Sequence, residues 1–339
     1  MRHDQSSAEV VTGRIRWERS ISEHTPAIDA RGLTKRFGGR LAVDRVDLQV
    51  PVGGVHAVLG SNGAGKTTMV RMLATLMRPD AGSARILGRD LRTQAGAVRR
   101  LIGVTGQYAS VDEDLTATEN LVIFGRLVGS PTRTARRRAS ELLEEFGLTE
   151  SAARPVGQFS GGMRRRLDLA ASLITRPQLI FLDEPTTGLD PRTRLQLWDT
   201  VRRLVAEGST VLLTTQYLEE ADQLASRISV MDHGRVVAEG TTDELKSRVG
   251  QKYVKVSLID GRHCGRAREL CASYAGGKPV GSETDREIAV PMPDVDRLPE
   301  LLITLREQGI AVEAVNVQRP TLDEVFMAMT GSARREEVA

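Results

Sequence analysis

The stretch Gly60-Ser61-Asn62-Gly63-Ala64-Gly65-Lys66-Thr67-Thr68 decides how this chain folds. It follows the apolar run Val55-His56-Ala57-Val58-Leu59 and precedes Met69-Val70-Arg71-Met72-Leu73, whose apolar spacing is helical. Strand, glycine loop and helix, in that order, are the context a phosphate-binding loop requires. The glycines let the backbone curl so that consecutive N–H groups point inward at the β- and γ-phosphates. A helix opening at Lys66 adds the positive end of its dipole. Lys66 reaches the same oxygens as a point charge, and the Thr67 hydroxyl is a hard-oxygen ligand for Mg²⁺. An ordinary glycine turn would not also demand Lys and then Thr.

Composition sets outer bounds. At 339 residues the chain is long enough for one large or two ordinary domains. With 40% apolar and 27% charged residues it reads as globular rather than disordered. Aromatics are only 4%, so aliphatic side chains must fill the core. The net charge of +3 is too small and too evenly spread to argue for nucleic acid, so no nucleic-acid partner is expected. It is compatible with work beside an anionic membrane surface. The two cysteines, Cys264 and Cys271, form no CxxC pair or His/Cys cluster, which points to no zinc site and to a reduced, cytoplasmic setting. No run approaches the ~20 consecutive apolar residues of a transmembrane helix. Residues 1–26 lack the apolar core of a signal peptide and read as a polar, mobile tail.

Beyond the tail, 27–30 and 33–37 read as extended, with a turn at Gly38-Gly39 and an alternating strand over 41–50. Residues 79–83 read as the end of the helical region after the glycine loop, 84–88 as a strand and turn, and 101–104 as a strand. Thr116-Ala117-Thr118-Glu119 has capping-box spacing before a helical pattern, and Pro131 restarts the chain into an Arg-rich helix stopped at Gly147. Residues 107–176 therefore form a mostly helical insert between strands of an α/β core. Leu179–Leu182 and 210–214 are continuous apolar runs suited to strands buried on both faces. Helices are expected over 195–204 and 218–227, then a hairpin around Asp232-His233-Gly234. From about 249 alternation at 253–258 and 311–317 around a helix at 298–305 suggests a small separate α+β domain, closed by a helix over 320–327.

Asp183 ends the buried strand and Glu184 follows it. A carboxylate at a strand end near the phosphate loop can hold Mg²⁺ through its water shell, and the next one can orient attacking water. Ser160-Gly161-Gly162-Met163-Arg164 opens a second helix, where a serine hydroxyl and bare N–H groups make a second anion site. One phosphate loop needs only one such site, so the second is surplus until two copies meet. Arg136-Arg137-Arg138 and Arg164-Arg165-Arg166 read as solvated helix faces, or as contacts for lipid headgroups or an acidic permease helix. The five histidines sit in no metal or triad spacing and read as structural.

The order and spacing of Gly60–Thr67, Ser160-Gly161-Gly162, Leu179–Glu184 and Gly188-Leu189-Asp190 resemble the nucleotide-binding subunits of ABC transporters, over about residues 27–245. The resemblance implies an α/β fold, a P-loop NTPase cassette with a mixed sheet core and helical subdomain, here over 27–248, followed by the small α+β domain over 249–339. It implies ATP and Mg²⁺ as cofactors and a head-to-tail dimer, each ATP clasped between one copy's P-loop and the other's signature serine. The nucleotide would be bound by Gly60, Ser61, Asn62, Gly63, Ala64, Gly65, Lys66, Thr67 and Thr68. Phe37 would stack on adenine, and Thr67, Gln107 and Asp183 would serve the metal. Gln107 resembles the glutamine that also senses the membrane partner. Ser160, Gly161, Gly162 and Asp190 would line the dimer seam. Glu184, Lys66 and Gln216 would carry catalysis.

Four positions depart from the family pattern. Phe159 and Met163 flank the signature where Leu and Gln are usual, and Ser61 replaces a common proline. Gln216 stands where the family places its switch histidine, so hydrolysis is expected to be slowed rather than abolished. Thr214-Thr215-Gln216-Tyr217-Leu218-Glu219-Glu220-Ala221-Asp222, with Leu322-Asp323-Glu324-Val325-Phe326, resembles the daunorubicin/doxorubicin-resistance ATPases. That implies peripheral attachment to the cytoplasmic face of the plasma membrane and a separate ABC-2-type permease exporting antibiotics or other hydrophobic compounds. The alternative is an ATP-gated dimerising module whose turnover is negligible because of Gln216. A translation or DNA-maintenance ATPase would carry two cassettes or a long coiled-coil insert, and neither is visible.

Overall fold

A computed structural model describes residues 25–106, 111–249, 253–276, 279, 286–292, 294–318, 321–323 and 325–326. Nearly all of the expected tail, and Gln107, lie outside the described residues.

The described chain opens with a hairpin of β1 (Ile28–Phe37) and β2 (Arg40–Val50), turning at Gly38 and Gly39. The two expected segments before the turn are one strand, whose register with β2 slips between Ala30 and Leu33, where Gly32 takes φ +59°. β3 (Val55–Leu59) runs buried into the glycine loop and α1 (Lys66–Leu73). β4 (Ala81–Ile86) and β5 (Arg89–Asp90) complete an antiparallel sheet ordered β2-β1-β4-β5. The expected end of the helical region at 79–83 is thus, from Ala81 on, strand. Gly82 is a point of close backbone approach, since a Cβ there would lie 2.3 Å from the Gly32 carbonyl oxygen.

After α2 (Ala95–Arg99) and β6 (Ile102–Thr105) come three helices, α3 (Ala117–Leu127), α4 (Thr132–Glu145) and α5 (Gly161–Ser172). The capping box forms as its spacing predicts. Glu119 N–H donates to Thr116 Oγ1 at 3.2 Å, and Thr116 N–H donates to Glu119 Oε2 at 2.9 Å. The core then resumes with β7 (Leu179–Asp183), α6 (Pro191–Ala206), β8 (Thr210–Thr215), α7 (Leu218–Leu224), β9 (Arg227–Asp232) and β10 (Arg235–Gly240). α7 stops short of the expected Arg227, because that residue already pairs with His56 on β3.

The six-stranded sheet has the order β10-β9-β3-β8-β7-β6, parallel except for the β9–β10 hairpin. Period-two alternation divides its side chains between two cores. Leu179 and Phe181 join α1 and the antiparallel sheet, while Ile180 and Leu182 join the three-helix insert and α6. Phe159, larger than the usual leucine, is buried in the second core. The parallel strands all end on the edge where the glycine loop opens, the usual crevice for ligands in such sheets.

α8 (Thr242–Val249) leads to a three-stranded antiparallel sheet of β11 (Tyr253–Leu258), β12 (Glu287–Pro291) and β13 (Val312–Gln318), ordered β12-β11-β13, with α9 (Cys264–Ala272) and α10 (Leu298–Glu307) against it. Val254, Val256 and Leu258 alternate into its core beside Leu301, Leu305 and both cysteines, which form no disulfide. Burial pushes the Cys271 thiol up to about 11, so it is an inert, hydrophobic side chain. One expectation is corrected here. Leu322 and Val325 do not close this unit but pack with Ala57, Leu59, Ala221, Ile228 and Val230 of the six-stranded sheet region. Among the described residues no helix is long and apolar enough to cross a membrane.

The Arg164–Arg166 cluster is also not a solvated face. Arg164 pairs with Glu113 at 2.7 Å, Arg166 donates to the Phe146 carbonyl at 3.0 Å, and Arg165 turns inward. The guanidinium forks donate to backbone carbonyls at the ends of helices and strands in this region. Arg136 and Arg137 remain exposed.

Candidate functional site

At the end of β3 the chain must turn through an almost bare backbone. Gly63 and Gly65 take φ of +80° and +105°, and a Cβ on Gly60 would fall 2.4 Å from the Met231 carbonyl oxygen. α1 has no acidic residue in its first turn, so its N-terminal N–H groups face the crevice uncompensated. A cavity of about 570 Å³ opens there, lined by Asn62, Gly63, Gly65, Lys66, Thr67 and Thr68 on one side and by Phe37, Arg40, Ala42, Glu184, Thr187 and Gln216 on the others.

Lys66 is only 3% exposed. Its Nζ donates to the carbonyl oxygens of Gly60 at 2.7 Å and Ser61 at 3.0 Å, and stands 3.2 Å from Glu184 Oε1. Two carbonyls thus hold the ammonium group by hydrogen bonds, and Glu184 pairs with its charge. Asp183 Oδ1 accepts from two hydroxyls, Thr67 at 3.1 Å and Thr214 at 2.6 Å. The Glu184 N–H donates to Thr214, at 3.0 Å to its carbonyl and 3.2 Å to its hydroxyl. Glu184 itself takes φ +48°. Phe37 is half exposed at the rim, with Lys35 Nζ 5.8 Å from its ring centroid.

The residues named from the sequence thus divide into two places. Asn62, Gly63, Gly65, Lys66, Thr67, Thr68, Glu184, Gln216 and Phe37 line one cavity; Gly60, Ser61 and Ala64 shape its loop, and Asp183 lies beneath Thr67. Ser160, Gly161, Gly162 and Asp190 line none of it. Ser160 is an exposed N-cap whose hydroxyl accepts from the Met163 N–H at 3.3 Å. Asp190 caps α6 through Thr193, whose hydroxyl holds the carboxylate below its usual range. The two helix starts touch, since a Cβ on Gly162 would lie 2.8 Å from Thr193 Cγ2. Sequence inspection missed Arg40, Ala42, Thr187 and Thr214. The first two reach the cavity only because the β1–β2 hairpin folds over it. Thr214 carried a signal, a Thr doublet closing an apolar strand.

Four residues after Gln216, on α7, Glu220 is fully buried, with the Trp198 indole N–H donating 3.3 Å to its Oε1. Burial pushes this carboxyl up, outweighing the lowering by Thr215, Thr186 and Trp198. A raised folded-state pKa means the neutral acid is preferred in the fold. Its contribution is complete below the unfolded value of about 4.5 and is lost as pH rises through the folded one. Glu220→Gln, permanently neutral, is expected to match the wild type in thermal unfolding near pH 4.5 and to melt higher at pH 8. A variant melting lower than wild type at both pH values contradicts this.

The comparisons agree with this geometry. A family model for ABC transporter matches residues 43–187, and one for the C-terminal domain of DrrA1-3-like ATP-binding proteins matches 240–330. Daunorubicin resistance ATP-binding protein DrrA2 of Streptomyces coeruleorubidus is 52% identical over 306 residues, covering 90% of this chain and 95% of that one. The chain belongs to the ABC transporter ATP-binding subunits. Cassettes of this family hydrolyse ATP to power transport, so the chain is an ATPase. Doxorubicin resistance ATP-binding protein DrrA of Mycobacterium tuberculosis is 46% identical, covering 90% of this chain and 93% of that one. Among solved structures, an ATP-binding subunit of an ABC transporter superposes with TM-score 0.60 at 28% identity, over 66% of this chain and 92% of that one. A dimeric cassette in a post-hydrolysis state bound to ADP and Pi gives 0.59 at 26% identity, over 63% and 98%.

Proposed function

We propose that two copies of this chain clasp two ATP molecules head to tail and drive a separate ABC-2-type permease that exports an antibiotic or another hydrophobic compound. The observation that carries this is the separation of the two anion sites. The Lys66 cavity and the Ser160 helix start are built on different elements of one chain, and Ser160 lines no part of the cavity. A second copy supplies the missing wall. The resistance names of the relatives and the dimeric state of the ADP–Pi neighbour favour the same reading.

In this reading Phe37 offers its open ring face to adenine, and the loop N–H groups and Lys66 take the β- and γ-phosphates. Thr67 and Asp183 present hard oxygens 3.1 Å apart, a donor set that fits Mg²⁺, with Gln107 as the further ligand the family pattern gives. The metal, when bound, neutralises phosphate charge. As the γ-phosphate takes Lys66, Glu184 is released from its ion pair and is free to orient and deprotonate water. Gln216 donates its amide to the γ-phosphate from the opposite wall. The partner copy's Ser160 and its helix start complete the cage, with Asp190 at the seam. Cassette 27–248 does this work and 249–339 is accessory, and the subunit sits on the cytoplasmic face of the plasma membrane.

Turnover measured with and without the reconstituted permease tests this against a purely ATP-gated module. Permease-stimulated hydrolysis supports the motor; ATP binding without turnover in both settings supports the gate. Gln216→Ala is expected to lower kcat by up to about 10²-fold, since one transition-state donor is lost. Gln216→His is expected to raise it. Equal rates for all three would remove Gln216 from the mechanism.

A further inference from the structure

Glu184 is held in an unfavourable backbone conformation, and the structure shows what holds it. Its φ of +48° belongs to the left-handed region that only glycine adopts freely, and Pro185 follows it, which further favours extended backbone at the preceding residue. Such a conformation persists only where its surroundings over-determine it. The N–H side is pinned by Thr214. The carbonyls on both sides of Glu184 are pinned by one guanidinium. Arg165 Nε donates to the Pro185 carbonyl at 2.9 Å and Nη2 to the Asp183 carbonyl at 3.4 Å. The same group donates through Nη1 to the Gly106 carbonyl at 2.6 Å, one residue before Gln107, and stands 3.4 Å from buried Asp168. Its side chain is only 12% exposed. Arg165 lies on α5, five positions after Ser160 at that helix's N-cap.

We propose that Arg165 is a positioning residue for Glu184, and that it ties the Ser160 helix to the strand end carrying Glu184 and to the loop entering Gln107. This rests on the reading of Glu184 as the group that orients the attacking water. The guanidinium is the one protein group whose planar fork of five donors spans three separate segments at fixed angles. Lysine, with a point charge, reaches one or two of these carbonyls. In the dimer, Ser160 meets the nucleotide held by the other copy. A rigid connection from Ser160 through α5 and Arg165 to Glu184 therefore makes each site respond to occupancy of the other. It adds nothing to nucleotide binding in its own cavity, which Arg165 does not line.

The test uses the full chain with Arg165→Ala and Arg165→Lys, read by thermal unfolding, Mg·ATP affinity, kcat, KM and the Hill coefficient for ATP. The expected result is a kcat lower by on the order of 10-fold to 10²-fold in both variants, because a small misplacement of a reacting group costs that much. ATP affinity stays within about twofold, as for an interaction realised only in the transition state. The Hill coefficient falls toward one, and guanidinium at sub-denaturing concentration restores part of the Arg165→Ala rate. Wild-type kcat and Hill coefficient in either variant overturn the proposal. So does a rate loss that only tracks loss of folded protein and is not rescued by guanidinium. If Arg165→Ala does not fold, Arg165→Lys decides by the same kcat and Hill readings. Failure of the dimer reading itself shows separately, as Glu184→Gln protein that stays at monomer mass in ATP.

Discussion

Glu184→Gln lowers ATP turnover by about 10²–10⁴-fold and leaves the protein, in Mg·ATP, at twice its subunit mass. The first part follows from removing the group that accepts a proton from water, whose contribution has that size. The second follows from geometry. The amide keeps the volume of the carboxylate between Lys66 and Thr187 but carries no charge, so it no longer competes with the γ-phosphate for Lys66 at 3.2 Å. Binding is preserved or improved while the step that opens the dimer is blocked. Light scattering with ATP and with ADP measures it: doubling in ATP alone is the expected pattern. Mass unchanged by ATP, in protein shown to bind it, would sink the sandwich. Lys66→Ala is the contrasting case. It removes the phosphate contact and strands Glu184, which is 8% exposed, without its cation, so both turnover and dimerisation are lost.

The second large effect is expected from a single methyl group. Gly65→Ala abolishes nucleotide binding, because φ is +105° there and the new Cβ would sit 2.3 Å from the Ala42 carbonyl oxygen and 2.9 Å from Met231 Cε. The carbonyl belongs to β2, held by its ladder with β1, so the glycine loop rather than the sheet must move. That movement turns the N–H groups of the α1 N-terminus away from the phosphates. Gly63→Ala separates strain from collision. Its φ is +80°, but nothing lies within 4 Å of the added Cβ. It pays only the backbone strain of ~1–3 kcal/mol, or about 5-fold to 150-fold in affinity. Calorimetric titration with ATP, with circular dichroism as the folding control, compares the two. Equal affinities for the two variants would show that the contact with Ala42 does not govern the loop.

Most of the cavity around the glycine loop was legible in the sequence because its determinants are consecutive. Gly60 to Thr68 needs only a strand before it and a helix after it, and both carry their own periodicity. The capping box at Thr116 and the Ser160 cap were readable for the same reason, since a cap is a matter of three residues. Gly82 was read only as part of a helix end because its true reason, the passage of Gly32 across it, is fifty positions away. Arg165 was read as one of three solvated cations. Its carbonyl partners lie at the end of β7 and on the loops after β6 and β7, and a carbonyl leaves no trace in a sequence.

By itself the sequence determined the chemistry available: a lysine and threonine on a bare helix start, a buried Asp-Glu pair at a strand end, a serine cap elsewhere, and a glutamine at the switch. The tertiary structure alone decided which of these meet. It set the Thr67 hydroxyl on Asp183, 116 positions away, and Lys66 against Glu184, and it kept Ser160 out of their cavity. Local propensity is encoded in neighbouring residues and can be read along the chain. Contacts across a parallel sheet depend on strand order and register, which arise only when separate apolar runs find one another and bury their faces together.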